Sequence, residues 1–177
     1  AELAGGYGLL DARPLASRIE QTFLQRVQAL PRDTQLLLPT AAAEPVGDLG
    51  LLWRAAGILG IGGDAGRPAE AAGLIELGLR LRFTHPLVRS AVYRGSAPGD
   101  RRDVHRALAD STDPVLDPDR RAWHRAHGTA TPDEAVAAEL ARSADRAQAR
   151  GGQAAAAAFL RRAAELTPDP ETRVERS

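Results

Sequence analysis

The stretch Leu79-Arg80-Leu81-Arg82-Phe83-Thr84-His85-Pro86 holds the one convincing strand signal in the sequence. Leu79, Leu81 and Phe83 alternate with Arg80, Arg82 and Thr84, and this period of two puts the three apolar side chains on one face of a strand. A single strand needs a partner. Leu74 to Leu77, folded back through Gly78, is the nearest candidate, which predicts a small hairpin.

Upstream of the hairpin the pattern is helical. From Leu15, the residues Ile19, Phe23, Val27 and Leu30 recur at helical spacing up to Pro31. A second helix is expected from Asp33 as N-cap, carrying Leu36, Leu37 and Ala41 to Ala43, with a kink or break at Pro39. A third follows Gly47: Asp48 caps it, Leu49, Leu52, Trp53, Ala56 and Leu59 form one stripe, and the cluster Gly60, Gly62, Gly63 ends it. A fourth runs from Pro68 to about Ile75. Three helices followed by a hairpin is the order of a winged-helix unit.

Downstream, helices are expected at about Pro86 to Gly95 and Pro98 to Asp110, followed by an Asp/Pro-rich joint from Asp113 to Asp119. The last third is Ala-rich: Arg120 to His127, Asp133 to Arg150, then Gln153 to Leu166, with Gly151-Gly152 as a turn. Two antiparallel helices and a two-glycine turn match one tetratricopeptide-like repeat. A lone repeat cannot bury its own face, so the array reads as cut off after residue 170. The expected fold is therefore mainly α. An irregular lead-in covers residues 1–14, a winged-helix-like regulatory domain with one small β-hairpin covers 15–112, and truncated tetratricopeptide-like antiparallel helices cover 113–177.

Composition narrows the chemistry. The chain has 177 residues, enough to bury roughly 70% of the surface its unfolded form exposes. It contains no Lys, Asn, Cys or Met, its 23 basic residues are all Arg, and Ala appears 35 times. An all-Arg basic set reads first as the codon bias of a GC-rich genome. Lack of Cys excludes disulfides, thiol nucleophiles and Cys-ligated zinc. Lack of Lys excludes a Schiff base and a phosphate loop of the GxxxxGK[ST] type. The 23 acids balance the 23 Arg, so no global field draws the chain to nucleic acid or anionic lipid. No apolar run approaches a membrane span, so the expected compartment is the cytoplasm. The start at Ala1-Glu2-Leu3 reads as that of a piece excised from a longer protein.

Four segments carry a resemblance. They are Leu30 to Leu38 leading to Ala41-Ala42-Ala43-Glu44-Pro45; Arg82 to Tyr93; Asp117-Pro118-Asp119-Arg120-Arg121-Ala122-Trp123-His124; and Ala154 to Pro170. In order and spacing they resemble the middle region of the large ATP-binding LuxR-type transcriptional regulators, a STAND-class ATPase family. Pro39, inside an expected helix, is the departure. The resemblance implies a non-catalytic regulatory region lying between an ATPase module, which binds ATP or ADP with Mg²⁺, and a C-terminal helix-turn-helix that binds DNA. Neither flanking part is in this sequence, so no cofactor is expected on the chain itself. The implied partners are the ATPase module, further helical repeats, and an inducer that is either a protein or a small molecule. In the family, the winged-helix unit folds over ADP to hold the protein off.

His85 is the candidate site residue. It precedes Pro86, which biases it to extended backbone and to the N-cap position of the next helix, where free amides and the dipole favour an anion. The plain alternative is a histidine that only caps its own helix. The resemblance implies that His85 corresponds to the histidine touching the terminal phosphate of ADP. Between Arg80 and Arg106, seven Arg against Asp100 and Asp103 give a local charge of +5. That stretch suggests either phosphate contact or pairing with the acidic flanks.

The rival function is a DNA-binding winged helix using Arg80 to Arg106. Against it, the segment from Pro68 to Leu77 offers Glu70 and Glu76 and no Arg, Asn or Gln to read a base. Other patterns are weaker. Gly60-Ile61-Gly62-Gly63-Asp64-Ala65 follows a helix where a dinucleotide fold needs a strand. Ser96 misses the nucleophile elbow. His124 and His127, three apart, lack an evident third metal ligand and read as surface histidines, while Trp53 and Trp123 read as core anchors. An enzymatic reading has no paired nucleophile and base.

Overall fold

The computed structural model describes residues 18–176. The expected lead-in over 1–14 and the expected helix start at Leu15 lie outside the described residues. The described chain is mainly helical, with one two-stranded antiparallel sheet. The elements are α1 (Arg18–Gln28), α2 (Arg32–Ala43), α3 (Leu49–Ile58), α4 (Arg67–Ala71), β1 (Ile75–Leu77), β2 (Leu81–Phe83), α5 (Pro86–Gly95), α6 (Pro98–Ser111), α7 (Pro118–Gly128), α8 (Glu134–Ala149), α9 (Gln153–Leu166) and α10 (Pro170–Glu175).

Aspartates start many of these helices. Asp48 accepts from the Leu51 amide at 3.0 Å, Asp117 from Arg120 at 3.2 Å, Asp133 from Val136 at 3.1 Å and Asp169 from Thr172 at 2.8 Å. Each satisfies an amide that the first turn leaves orphaned, worth about 1 kcal/mol. Asp33 does not cap α2 as expected. Pro31 occupies that position with no side-chain bond, and Asp33 instead accepts from the Gly62 amide at 3.1 Å, tying the head of α2 to the loop after α3.

Pro39 does not break α2, which runs on to Ala43. An interior proline costs about 3 kcal/mol. Leu37, Leu38 and Ala41 to Ala43 are all buried around it, and burial of each leucine alone contributes about 1.5–3 kcal/mol. Packing therefore outweighs the lost backbone bond.

The fourth helix is shorter than expected. It ends at Ala71 because Gly73 takes a left-handed conformation, φ 64°. The Gly73 amide donates to Glu70 and the Leu74 amide to Ala69, the paired bonds of a Schellman ending. Leu74 and Ile75 are thereby turned away from the helix and into the hairpin. In the hairpin Ile75 pairs with Phe83, Glu76 with Arg82 and Leu77 with Leu81. Leu81 is buried as expected, but Leu79 lies beyond the ladder at the tip and is 102% exposed. Two further bonds anchor the hairpin. The Leu81 amide donates to the Gly47 carbonyl at 2.9 Å, and the Leu77 amide donates to the Glu70 carboxylate at 2.9 Å.

Gly47 makes that anchorage possible. Its φ is 74°, and a Cβ there would lie 2.3 Å from the Leu81 carbonyl oxygen. Gly47→Ala is expected to destabilise the fold by at least about 1–3 kcal/mol, because both the conformation and the backbone contact resist a side chain. Gly57→Ala, at a helical position with nothing within 4 Å, is the control and should be neutral or slightly stabilising. Thermal melting of the two variants checks this, and equal melting points would refute it.

Two apolar cores result. One gathers α1 to α6 and the hairpin around residues such as Leu37, Leu38, Leu51, Leu52, Leu74, Ile75, Val88 and Leu108. The other gathers α7, α8 and α9 around Phe159, Leu140, Leu166, Val136 and nine alanines. Trp53 and Trp123 each pack half-buried against one of them, Trp53 against the first and Trp123 against the second.

Candidate functional site

The hairpin delivers His85 to the head of α5. The Thr84 amide donates to the Leu74 carbonyl at 3.1 Å and its hydroxyl to the Gly73 carbonyl at 2.9 Å, fixing the exit of β2. His85 follows with extended backbone (φ −146°, ψ 139°) as the N-cap of α5, ahead of Pro86. Its Nδ1 accepts from the Leu87 amide at 3.0 Å. In the neutral ring the hydrogen therefore sits on Nε2. The side chain is exposed, and its ring stacks on Phe23 of α1 with centroids 6.3 Å apart and planes 26° apart. One nitrogen thus serves the helix while the other, on an exposed side chain, carries the hydrogen, so capping does not use up the ring's donor.

The basic stretch is taken up largely by internal bonds. Arg89 donates to the Ala42 carbonyl at 2.9 Å, Arg101 to the Ser96 carbonyl at 2.7 Å, and Arg106 to the Gly128 carbonyl at 3.1 Å. Arg94 pairs with the buried Glu20 of α1. Pairing with the acidic flanks is thus seen at Arg94, while most of these guanidinium groups satisfy carbonyls. Burial pushes the Arg89 pKa down, and Glu44 nearby opposes this. Ser96 donates its hydroxyl to the Val92 carbonyl at 2.7 Å, a helix-end bond rather than an activated nucleophile.

His124 and His127 are not surface histidines. His124 is fully buried, His127 is half-buried, and they meet His105 of α6, a residue the sequence reading did not single out. Three of the four histidines in the sequence therefore gather where α6 packs on α7. His105 Nδ1 lies 2.9 Å from His124 Nδ1, and His105 Nε2 lies 2.8 Å from the Tyr93 hydroxyl. The His127 ring is 5.0 Å from that of His105 and 4.3 Å from that of Trp123. Among the described residues no group of three His, Asp or Glu is arranged to hold a metal ion.

Bond counting favours one direction for this chain. If Tyr93 donates to His105 Nε2, then His105 Nδ1 donates to His124 Nδ1, and the one hydrogen left over is on His124 Nε2, which is buried with no partner. In the reverse direction the unpaired hydrogen is that of the Tyr93 hydroxyl and His124 Nε2 is left as a buried acceptor without a donor, so the first direction leaves fewer groups unsatisfied. Burial is the main force pushing all three imidazoles toward the neutral form, to a pKa of about 3 for His124 and for His127 and well below the usual value for His105. Neighbouring cations act in the same direction: Arg162 and Arg101 on His105, Arg120 on His124, and Arg162 on His127. Burial likewise raises the pKa of Tyr93.

Arg120 bridges the same junction through charge. From α7 it reaches Asp117 at 2.8 Å, Asp48 at 3.4 Å and the buried Glu44 at 3.5 Å, linking the second core to the loop between α2 and α3. Comparison with protein-family models, with curated proteins and with solved structures finds no match for this chain.

Proposed function

We propose that this chain is a non-catalytic regulatory region of a nucleotide-dependent LuxR-type transcriptional regulator. In this reading the α1–α6 unit is winged-helix-like, and α8 with α9 forms a tetratricopeptide-like pair that continues into a sensor array. The observation that supports it most is the exposed His85 at the head of α5, with Nδ1 used internally and the Nε2 hydrogen left over. A donor at that place suits the terminal phosphate of ADP held by a separate ATPase module, since a helix start adds free amides and a positive dipole end. The N-terminal unit would then rest over bound ADP, and displacement of the helical pair by an inducer would release it.

Two measurements test this. Calorimetry of the isolated chain with ADP should show no micromolar binding, because the phosphate loop lies on another module. In the full-length regulator, His85→Ala should speed ADP release about 10- to 100-fold, the size of one lost charge-assisted hydrogen bond, and raise basal transcription. Unchanged ADP retention would remove His85 from the sensing role.

The DNA-binding reading has less support. α4, the helix before the hairpin, has five residues, and its Glu70 is engaged by the Leu77 amide. That is too short a rod to fill a major groove, and it carries a carboxylate facing the hairpin. Were the chain a DNA binder, its affinity would fall steeply with added salt in a gel-shift titration.

A further inference from the structure

We propose that Tyr93, His105, His124 and His127 form an acid-releasable latch between the two cores, one that holds a single proton at most and opens α7 from α5 and α6 when it takes up more. Such a latch is independent of nucleotide sensing. It rests on where the rings sit and on how their hydrogen bonds close.

The cluster occupies the seam between the two cores. Tyr93 belongs to α5, His105 to α6, and both His124 and His127 to α7. A first proton on His105 leaves every existing bond possible, since Nδ1 still donates to His124 and Nε2 turns to donate to the Tyr93 oxygen. A second proton, on His124, is different. It sets one N–H against another across the 2.9 Å between the two Nδ1 atoms, and no rotation of a hydroxyl repairs that.

Nothing acidic among the groups acting on the rings offsets the added charge. Arg89 acts on Tyr93 from α5, Arg101 on Tyr93 and His105 from α6, Arg120 on His124 from α7, and Arg162 on all but His124 from α9. Each would repel an imidazolium. The neutral cluster is therefore the closed state, and the loaded cluster finds relief only in water.

Other bonds also cross the seam. They include Arg120 to Glu44 and Asp48, and Arg106 to the Gly128 carbonyl. Asp48 keeps its charge over this range, because backbone hydrogen bonds and Arg120 hold its carboxyl low in spite of burial, so the ion pair with Arg120 opposes the opening and the repulsion among the loaded imidazoles has to exceed it. Each core keeps its own apolar contacts when the seam parts, because Phe159 and Leu140 on one side and Leu37 and Leu51 on the other do not draw on the histidines.

The test uses the full chain carrying Trp53→Phe, so that Trp123, in contact with His127, is the sole emitter. Its emission is titrated from pH 7.5 to 4.0 while circular dichroism follows helix content. The expected result is a Trp123 transition above pH 4.5 with the steepness of two or more protons and with helix content retained. Adding His127→Phe, at a half-buried position that tolerates a ring, should lower the midpoint by at least half a pH unit or remove about one proton from the steepness. Tyr93→Phe, which keeps the ring and deletes only the hydroxyl, should shift the midpoint as well. The proposal is overturned if Trp123 emission stays constant to pH 4.5, if the transition of the parent has the steepness of one proton, if helix content falls in step with it, or if neither variant changes the midpoint or the steepness.

Discussion

Lowering the pH from 7.5 to 5.5 should cost the α7–α9 half of this fold about 3 kcal/mol through His124 and His127 alone. Both titrate at about 3 in the folded chain, against roughly 6.5 when exposed. A depressed histidine pKa means that the unfolded chain binds the extra proton, so stability falls as pH falls. The penalty is absent above 6.5, grows through the window from 6.5 down to about 3, and is complete below it. At pH 5.5 each ring contributes about 1.4 kcal/mol. His105 is shifted in the same direction and adds to the loss. Asp48 and Asp119, whose carboxyls are held low in spite of burial by hydrogen bonds and by Arg120, Arg146 and Arg150, lose their contributions only at more acid pH. Urea unfolding followed by Trp123 emission at the two pH values measures the effect. Identical midpoints would show that the imidazoles are not buried in neutral form.

Phe159→Ala should cost about 3–5 kcal/mol, a large share of the 5–15 kcal/mol that holds a typical domain together. Phe159 is 2% exposed and is the largest side chain of a core otherwise built mainly from alanine. Its ring also meets Trp123 edge-on, with centroids 5.9 Å apart. Alanine neighbours have no side-chain rotation with which to fill the void, so the cavity stays open and the penalty falls toward the upper end. Phe159→Leu, which keeps most of the volume, should cost under about 1.5 kcal/mol. Equal urea midpoints for the two variants would mean that the second core does not depend on this ring.

Local signals were legible in the sequence. Asp48 as a cap, the hairpin folded through Gly78, and the helices after Pro86 and Pro98 are all present, because each depends on a few adjacent residues. Errors arose where distant packing decides. Pro39 looked like a break, yet the buried leucines and alanines around it carry α2 through. The end at Gly73 falls inside the apolar run to Ile75, and a glycine in the left-handed conformation closes the helix there even though the apolar pattern continues. Leu79 has the alternation of a strand but sits past the last ladder pair. Of the candidate site, the position of His85 at a helix start followed from the adjoining proline. The histidine cluster did not follow, because His105 and His124 lie 19 residues apart and only the packing of α6 on α7 joins them. A clue was available in the apolar flanks of His105, Val104 and Leu108, which place it on the inward side of its helix.

The anchorage of the hairpin bears on how this protein can meet other chains. Of the backbone donors nearest its tip, the one on β2 is taken by the Gly47 carbonyl and the one on β1 by the Glu70 carboxylate. An extended peptide seeking to add itself as another strand finds those positions occupied on both margins of the sheet. Near the hairpin tip, contact with another chain is thereby left to side chains, with the bare Leu79 at the apex.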